Sequence, residues 1–274
     1  MRASLPMTAF ILSLFATVVT SASVSTRYEI PDDNKVIISL TQANTTQTLP
    51  NSISVLVWNV HKGSDENAWK SDLQSISADA NLVLLQEAMN DDFMPQALQS
   101  LLKFEFFMAQ SFIYTNGKDS TGVATGSTAH PNAQFFRRSP DREPVLSTPK
   151  MSLLSIFSLP KGKPLLVVNI HAINFVTQST FERQIDDLLP LIRDFKGAVI
   201  FAGDFNTWSS GRLEALLKRT KKMGLKQVDF FIDPREQVLD HIFVRDCEPE
   251  KAEILKDIHT SDHLPLKATL HCTE

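Results

Sequence analysis

The stretch that decides the fold is Ala198-Val199-Ile200-Phe201-Ala202-Gly203-Asp204-Phe205-Asn206. The apolar, partly β-branched residues before Gly203 predict a buried strand. Asp204 and Asn206 follow at the point where this strand should end. Loops at strand ends carry a large share of binding and catalytic residues, so both side chains are candidates for a site. The structural alternative for Asp204 is a cap on the following helix.

The same pattern recurs on either side of this stretch. Further polar residues each follow a buried apolar run, namely Asn59, Glu87 and His171. Asp240 and the pair Asp262-His263 instead come near the beginning of their runs. An antiparallel strand begins at the edge where its neighbours end, so we expect all these side chains at one edge. Taken singly, each has a structural alternative, as a turn residue or a core histidine.

Helix-like segments separate some of the apolar runs, at residues 67–76, 91–102, 179–195 and 211–222. From Phe104 to Phe157 the strand signals follow one another without an intervening helix. This mixture argues against a repeating βαβ barrel. It predicts an α+β fold in which two β-sheets pack together with helices outside.

The composition is that of an ordinary globular protein, with 274 residues of which 43% are hydrophobic and 21% charged. Residues 52–274 are expected to form one domain, because no stretch rich in Pro, Gly or Ser divides them. The net charge is −4. Tight non-specific binding of nucleic acid usually needs a basic surface, so the charge does not favour it.

The N-terminal segment has the pattern of a signal peptide over residues 1–22. Arg2 precedes an apolar run from Ala9 to Val19, and small residues follow as far as Ala22. Export to the periplasm or outside the cell is therefore expected, with an uncleaved membrane anchor as the alternative. Residues 23–51 are polar, and we expect this lead-in to have little structure of its own.

The cysteines, Cys247 and Cys272, each lie just beyond a strand-like run. A disulfide between neighbouring strands fits an oxidising compartment. Two unpaired thiols are an equal alternative. A metal role is not expected, because neither cysteine belongs to a C-x-x-C pair.

The combined residue types meet the needs of phosphate-ester hydrolysis. That reaction requires charge neutralisation on the phosphoryl oxygens, a base for water and an acid for the leaving oxygen. Glu87, Asp262 and the amide of Asn59 offer hard oxygen ligands. Such ligands suit Mg²⁺ better than Zn²⁺, and Mn²⁺ and Ca²⁺ are alternative ions.

At this level of detail the sequence resembles the endonuclease/exonuclease/phosphatase superfamily, typified by deoxyribonuclease I and the abasic-site endonucleases. The resemblance covers nearly everything from Ile53 to Leu270. It looks closest to a functionally uncharacterised bacterial branch, through Arg142-Glu143-Pro144, Lys150 and the run Val168 to Ala172. The motifs that carry it occur in the superfamily's order: Val57-Trp58-Asn59-Val60-His61, Leu85-Gln86-Glu87, His171, Gly203-Asp204-Phe205-Asn206, Leu239-Asp240-His241-Ile242 and Ser261-Asp262-His263.

The resemblance implies a four-layer α/β-sandwich of the deoxyribonuclease I type and a divalent-metal site. Glu87 would be the principal Mg²⁺ ligand, with Asn59 and Asp262 beside it. Some members carry an acidic residue where this chain has His61, which puts a second metal-binding mode in doubt. Arg142 is a candidate phosphate contact by charge alone, and an exposed loop arginine is the alternative.

The resemblance also implies roles for the remaining motif residues. Asp204 would orient or deprotonate the attacking water, and Asn206 would hold that water and a phosphate oxygen. His263, polarised by Asp240, would contact the scissile phosphate. His171 would stabilise the phosphate or the leaving oxygen.

The sequence thus predicts a Mg²⁺-dependent hydrolase of phosphate esters, in the first place a phosphodiesterase acting on nucleic acid or phospholipid head groups. A phosphomonoesterase of the same fold and a non-catalytic binding module are the alternatives. A calcineurin-like phosphatase is disfavoured, because no D-x-H motif lies upstream of Gly203 and no G-N-H motif follows it. We expect a monomer without an obligate protein partner.

Overall fold

The structure is a computed structural model that describes residues 28–115 and 118–272. The helices of this part of the chain are α1 (Glu66–Ile76), α2 (Met94–Gln99), α3 (Gln178–Asp194) and α4 (Ser210–Lys222). Its strands are β1 (Tyr28–Glu29), β2 (Ile37–Ser39), β3 (Ser52–Asn59), β4 (Leu82–Asn90), β5 (Glu105–Tyr114), β6 (Ser120–Ser127), β7 (Ala133–Arg138), β8 (Met151–Ser158), β9 (Pro164–His171), β10 (Ala198–Asp204), β11 (Lys226–Gln227), β12 (Asp240–Arg245), β13 (Cys247–Ile254) and β14 (Leu266–Cys272).

Within the described residues the strands form two mixed sheets. The first, which we call sheet A, has eight strands in the order β1-β5-β6-β4-β3-β14-β13, with β2 paired to β5. The second, sheet B, has six strands in the order β11-β12-β10-β9-β8-β7. Helices α1 and α2 pack on the outer face of sheet A, and α3 and α4 on the outer face of sheet B. The predicted α+β fold with two packed sheets is confirmed, as a four-layer α/β-sandwich.

The central core follows from side-chain alternation along the inner strands, where successive residues point to opposite faces. Val55 and Val57 of β3 meet Ile200 and Ala202 of β10 between the sheets. The intervening residues turn outward, so that Trp58 packs on Trp69 of α1. Both faces of these strands are buried, and this explains why their sequences are continuous apolar runs.

Strand direction brings the polar strand ends to one edge, as the sequence predicted. In sheet B, β9 runs parallel to β10, so His171 pairs with Asp204 at their common end. Strand β12 runs antiparallel to β10, and its first residue, Asp240, pairs with the same Asp204. In sheet A, β14 likewise runs antiparallel to β3, so the loop that carries His263 lies at the end of β3 where Asn59 stands.

The segment before β3 is more ordered than its composition suggested. We expected residues 23–51 to have little structure of their own, yet β2 lies here and pairs with β5. Thr46 also forms an isolated bridge with Ala129. These contacts are long-range, so local composition did not reveal them. The signal-peptide prediction for residues 1–22 lies outside the described residues, and the domain boundaries stay a prediction.

Cys247 and Cys272 form a disulfide. They face each other at the ends of the antiparallel strands β13 and β14. Of the two alternatives left open by the sequence, the bridged one is therefore present. In residues 28–115 and 118–272, none of the helices has the length and apolar character needed to cross a bilayer.

Candidate active site

The strand ends surround an open cleft with a volume of about 380 Å³ at the edge shared by the two sheets. All the predicted catalytic and metal-binding residues line this cleft except Asp240, which lies behind His263. The cleft therefore draws on both sheets, and the site exists only when they are packed together. The members of this set that line the cleft are Asn59, Glu87, His171, Asp204, Asn206, Asp262 and His263.

The turn after β10 positions Asp204 and Asn206. Gly203 has a φ of 141°, and a Cβ at this position would overlap the carbonyl oxygen of Ile170. One carboxylate oxygen of Asp204 accepts a hydrogen bond from the backbone N–H of Asn206 at 2.8 Å. The helix-cap alternative for Asp204 is wrong, because Ser209 caps α4 by accepting a hydrogen bond from the Arg212 N–H.

Asp204 is a buried carboxylate held from both sheets. Its Oδ2 accepts a hydrogen bond from Nδ2 of Asn59 at 3.0 Å and lies 3.4 Å from Nε2 of His171. Burial, and then the nearby charge of Asp240, raises the pKa of Asp204 to about 7. A carboxyl group with such a pKa is suited to exchange protons with water near neutral pH.

Asp240 and His263 form a second pair across the sheets. Oδ2 of Asp240 lies 2.8 Å from Nδ1 of His263. Burial by itself lowers the pKa of His263, but the carboxylate of Asp240 outweighs it and raises that pKa to about 10. The imidazole is therefore cationic near neutral pH. Because Nδ1 is engaged by Asp240, Nε2 is the ring nitrogen left to interact with a substrate.

His171 is chemically different from His263. Its side chain is 8% exposed. Burial, followed by the charges of Lys150, His263 and Lys62, holds the pKa of His171 well below its usual range. The site thus combines a neutral imidazole with a cationic one, so the two histidines can perform different tasks.

The predicted metal ligands lie along the same cleft. Glu87 is half-buried and has a φ of 53°, at the point where the pairing of β4 with β6 shifts register. The Asp262 side chain is 62% exposed, with Oδ1 3.6 Å from Nδ1 of His61. Oδ1 of Asn59 accepts a hydrogen bond from the His61 N–H at 3.1 Å and keeps a second lone pair. This hard oxygen set fits a divalent cation of the Mg²⁺ type.

Comparison with known proteins identifies the family of this chain. The sequence profile of the Endonuclease/Exonuclease/phosphatase family matches residues 56–263. The chain belongs to the endonuclease/exonuclease/phosphatase family. It is 35% identical over 228 residues to a UPF0294 protein of Vibrio vulnificus (strain CMCP6), covering 78% of this chain and 75% of that one.

Two solved structures show the same fold at low sequence identity. The human Nocturnin catalytic domain with bound sulfate aligns with a TM-score of 0.62 at 17% identity, over 82% of this chain and 96% of the other. Sphingomyelinase C from Streptomyces griseocarneus aligns with a TM-score of 0.58 at 14% identity, over 80% of this chain and 99% of the other. These two alignments show a shared fold, and the family assignment rests on the sequence profile and on the relative from Vibrio vulnificus.

Three acidic and histidine side chains of this chain lie close enough together to suggest a metal site different from the predicted one. Donor atoms of Asp204, Asp240 and His263 lie within 4.8 Å of one another. The hydrogen bond between Nδ1 of His263 and Oδ2 of Asp240 accounts for the closeness of two of these three residues without a cation. Glu87 and Asp262 remain the candidate metal ligands, as the sequence predicted.

Charged residues near the cleft differ in whether they line it. Arg142 is exposed and does not line the cleft, and its guanidinium is 3.5 Å from the carbonyl oxygen of Ser147. Lys62, Glu143 and Lys150 do line it. The sequence offered Glu143 and Lys150 only as parts of a resemblance. Their positions depend on the loop before β8, which local patterns do not predict.

Proposed function

We propose that this family member is a divalent-metal-dependent phosphodiesterase and that Mg²⁺ is its working ion. The observation that carries the proposal is the convergence on Asp204. Asn59 reaches it from one sheet and His171 from the other. Attack of water on a phosphate requires a group that accepts a proton from the water and a cation that stabilises negative charge on the phosphate. The carboxylate of Asp204 and the cationic His263 in the same cleft are suited to these two roles.

A bound cation would be held by Glu87 and Asp262 with the amide oxygen of Asn59. It would supply charge neutralisation on the phosphoryl oxygens and polarise the phosphorus centre. Both carboxylates lie on the cleft surface and so are accessible to an ion from solvent. The oxygen-only set matches Mg²⁺ better than Zn²⁺, for which imidazole and thiolate ligands are typical.

The chain's own residues would perform the proton transfers. Asp204 would accept a proton from the attacking water, and Asn59 and Asn206 fix its orientation through the hydrogen bonds they donate. His263 would donate from Nε2 to a phosphoryl oxygen, with Asp240 holding the ring. His171 would hydrogen-bond the phosphate or the leaving oxygen.

A phosphodiester is the proposed substrate class, and a phosphomonoester is the alternative that the screen below separates from it. The cleft places the carboxylates of Glu87, Asp204 and Asp262 beside the cations of Lys62, Lys150 and His263, so its charge does not by itself select one class. We also propose that the protein is exported to the periplasm or outside the cell. The phosphodiesters that an exported protein would meet are nucleic acid and phospholipid head groups.

A substrate screen tests the proposal. The purified protein, expected to act as a monomer, is incubated with DNA, RNA, sphingomyelin and soluble phosphomonoesters, with Mg²⁺ and again with EDTA. We expect cleavage of at least one diester, loss of that cleavage in EDTA and its return when excess Mg²⁺ is added. Cleavage of monoesters alone, or cleavage that EDTA does not affect, would contradict the proposal.

A further inference from the structure

We infer that Phe175 is a specificity residue against which a nucleobase of the substrate stacks. The inference rests on the proposed phosphodiesterase function and narrows its substrate to esters of nucleotides. Phe175 follows β9 four residues after His171, so one short loop carries both a catalytic candidate and an aromatic ring.

The ring of Phe175 is available to a ligand. Phe175 lines the cleft and is 74% exposed. Its φ is 55°, in the left-handed region that bulky residues rarely occupy. Conformations of this kind cost free energy and persist where the surroundings impose them, commonly at functional sites. The fold therefore holds an exposed aromatic ring in an unfavourable backbone conformation beside the candidate catalytic groups.

Hydrogen bonds of Asn174 hold Phe175 in this conformation, and we call Asn174 with its partners Glu143 and Trp208 the frame. Its Oδ1 accepts hydrogen bonds from the Phe175 N–H at 2.8 Å and from Nε1 of Trp208 at 2.9 Å. Its own N–H donates to Oε1 of Glu143 at 3.0 Å. Glu143 is buried and lies 3.5 Å from Nζ of Lys150. The loop is thus tied to two other segments that flank the cleft.

The surroundings favour a nucleobase over a lipid chain. Lys62 and Lys150 line the same cleft, where Lys150 is paired with Glu143 and Lys62 can neutralise a phosphate. An aromatic face beside basic side chains is how proteins bind single-stranded nucleic acid and nucleotides. Insertion into a bilayer requires apolar area but no particular ring orientation. The frame around Asn174 fixes the loop that carries the ring, which a stacked base needs.

A pair of esters that share one leaving group tests the inference. Thymidine 5′-(p-nitrophenyl phosphate) and 2-deoxyribose 5-(p-nitrophenyl phosphate) differ only in the base, so the ratio of their kcat/KM values isolates recognition of the base. We expect Phe175→Ala to lower this ratio about 5- to 150-fold, the range for loss of one base–aromatic stack. Phe175→Tyr should retain the ratio and Phe175→Leu should not.

Matched variants control for indirect effects. Phe231 is fully exposed and lies away from the cleft, so Phe231→Ala should keep the wild-type ratio. Asn174→Ala should lower the ratio as Phe175→Ala does, and Asn174→Asp, which keeps the accepting oxygen, should restore it. An unchanged ratio in Phe175→Ala would overturn the inference. So would an equal ratio in Phe175→Leu and wild type, since any apolar side chain would then suffice.

Binding without turnover separates this inference from the proposed function. Isothermal titration of the intact protein with thymidine 5′-monophosphate and with 2-deoxyribose 5-phosphate, both with Mg²⁺, compares two ligands that differ only in the base and needs no hydrolysis. We expect Phe175→Ala to raise the Kd of the thymidine ligand about 5-fold or more relative to the Kd of the sugar phosphate. If wild type binds both ligands equally, or if the variant instead loses binding to sphingomyelin vesicles, base stacking by Phe175 is wrong whatever the enzyme cleaves.

Discussion

Nδ1 of His263 lies 2.8 Å from Oδ2 of Asp240, although Asp240 begins a strand of sheet B and His263 precedes a strand of sheet A. The hydrogen bond therefore joins the two sheets at the cleft. It also determines which ring nitrogen faces a substrate. The remaining oxygen of Asp240, Oδ1, is buried without a hydrogen-bond partner among the described residues. The hydrogen bond to His263 is therefore the one that satisfies the Asp240 carboxylate among the described residues.

Asp240→Asn should reduce kcat by about 10² or more, the lower end of what a positioned acid or base contributes. The amide keeps the size of the carboxylate but removes the charge that holds the proton on His263. The measurement is the steady-state hydrolysis of bis-p-nitrophenyl phosphate with saturating Mg²⁺. Asp194→Asn, which removes an exposed carboxylate paired with Arg193, is the control and should have wild-type kcat. A wild-type kcat in Asp240→Asn would show that the pair is only structural.

Glu87→Gln and Asp262→Asn should each raise the Mg²⁺ concentration needed for half-maximal activity by at least about tenfold, which corresponds to roughly 1.4 kcal/mol of binding free energy. Each change removes one anionic oxygen ligand while keeping the shape of the side chain. Glu236→Gln is the control, at an exposed position outside the cleft. Identical Mg²⁺ dependence in wild type and Glu87→Gln would place the cation elsewhere.

His241 should make the folded state less stable in acid. Its Nε2 lies 2.8 Å from Oγ1 of Thr207, and its Nδ1 accepts a hydrogen bond from Gln227 at 3.0 Å. Burial, and then the charge of Arg235, lowers the pKa of His241 from 6.5 to about 4. The unfolded chain therefore binds the proton more tightly, so this stability is complete above pH 6.5 and is lost as the pH falls towards 4.

The predicted loss over this interval is about 3 kcal/mol for His241 alone. Urea unfolding at a series of pH values between 7 and about 4 measures it. His241→Asn should flatten the dependence of the unfolding free energy on pH, whereas His271→Asn, at a half-exposed histidine, should not. Parallel curves for wild type and His241→Asn would refute the assignment.

Gly203→Ala should destabilise the protein by several kcal/mol, because the new methyl group would overlap the carbonyl oxygen of Ile170 and the backbone has a positive φ. Gly224→Ala is the comparison. Gly224 also has a positive φ, of 74°, but the nearest atom to an added Cβ is 3.4 Å away. Its cost should be about 1–2 kcal/mol, that of the left-handed conformation alone. Urea unfolding measures the loss of unfolding free energy in each variant. Equal losses would mean that the strand containing Ile170 can shift to make room for the methyl group.

The sequence was sufficient to predict those parts of the fold in which both faces of a strand are buried. Strands such as β3 and β10 appear as continuous apolar runs, so the residues that end them, Asn59 and Asp204, were recognisable as neighbours. The opposite direction of β12 followed from the position of Asp240 at its start. Together these placed the candidate site at one edge.

What the sequence did not reveal depends on long-range contacts. Strand β13 contains Pro249 and several charged residues, because it lies at the exposed edge of sheet A and needs no apolar pattern. Strand β2 is stabilised by pairing with β5, far along the chain. The approach of Glu143 to Asn174 likewise depends on two loops meeting, so no local motif predicted the frame around Phe175.

The most direct test of the central claim is the kcat of Asp204→Asn on a phosphodiester with saturating Mg²⁺, measured beside wild type after both proteins are shown to be folded by circular dichroism. The substitution preserves volume and removes the group proposed to accept a proton from water. We predict a loss of about 10² to 10⁴ in kcat. Wild-type turnover by a folded Asp204→Asn protein would contradict the account of this cleft as a hydrolytic site.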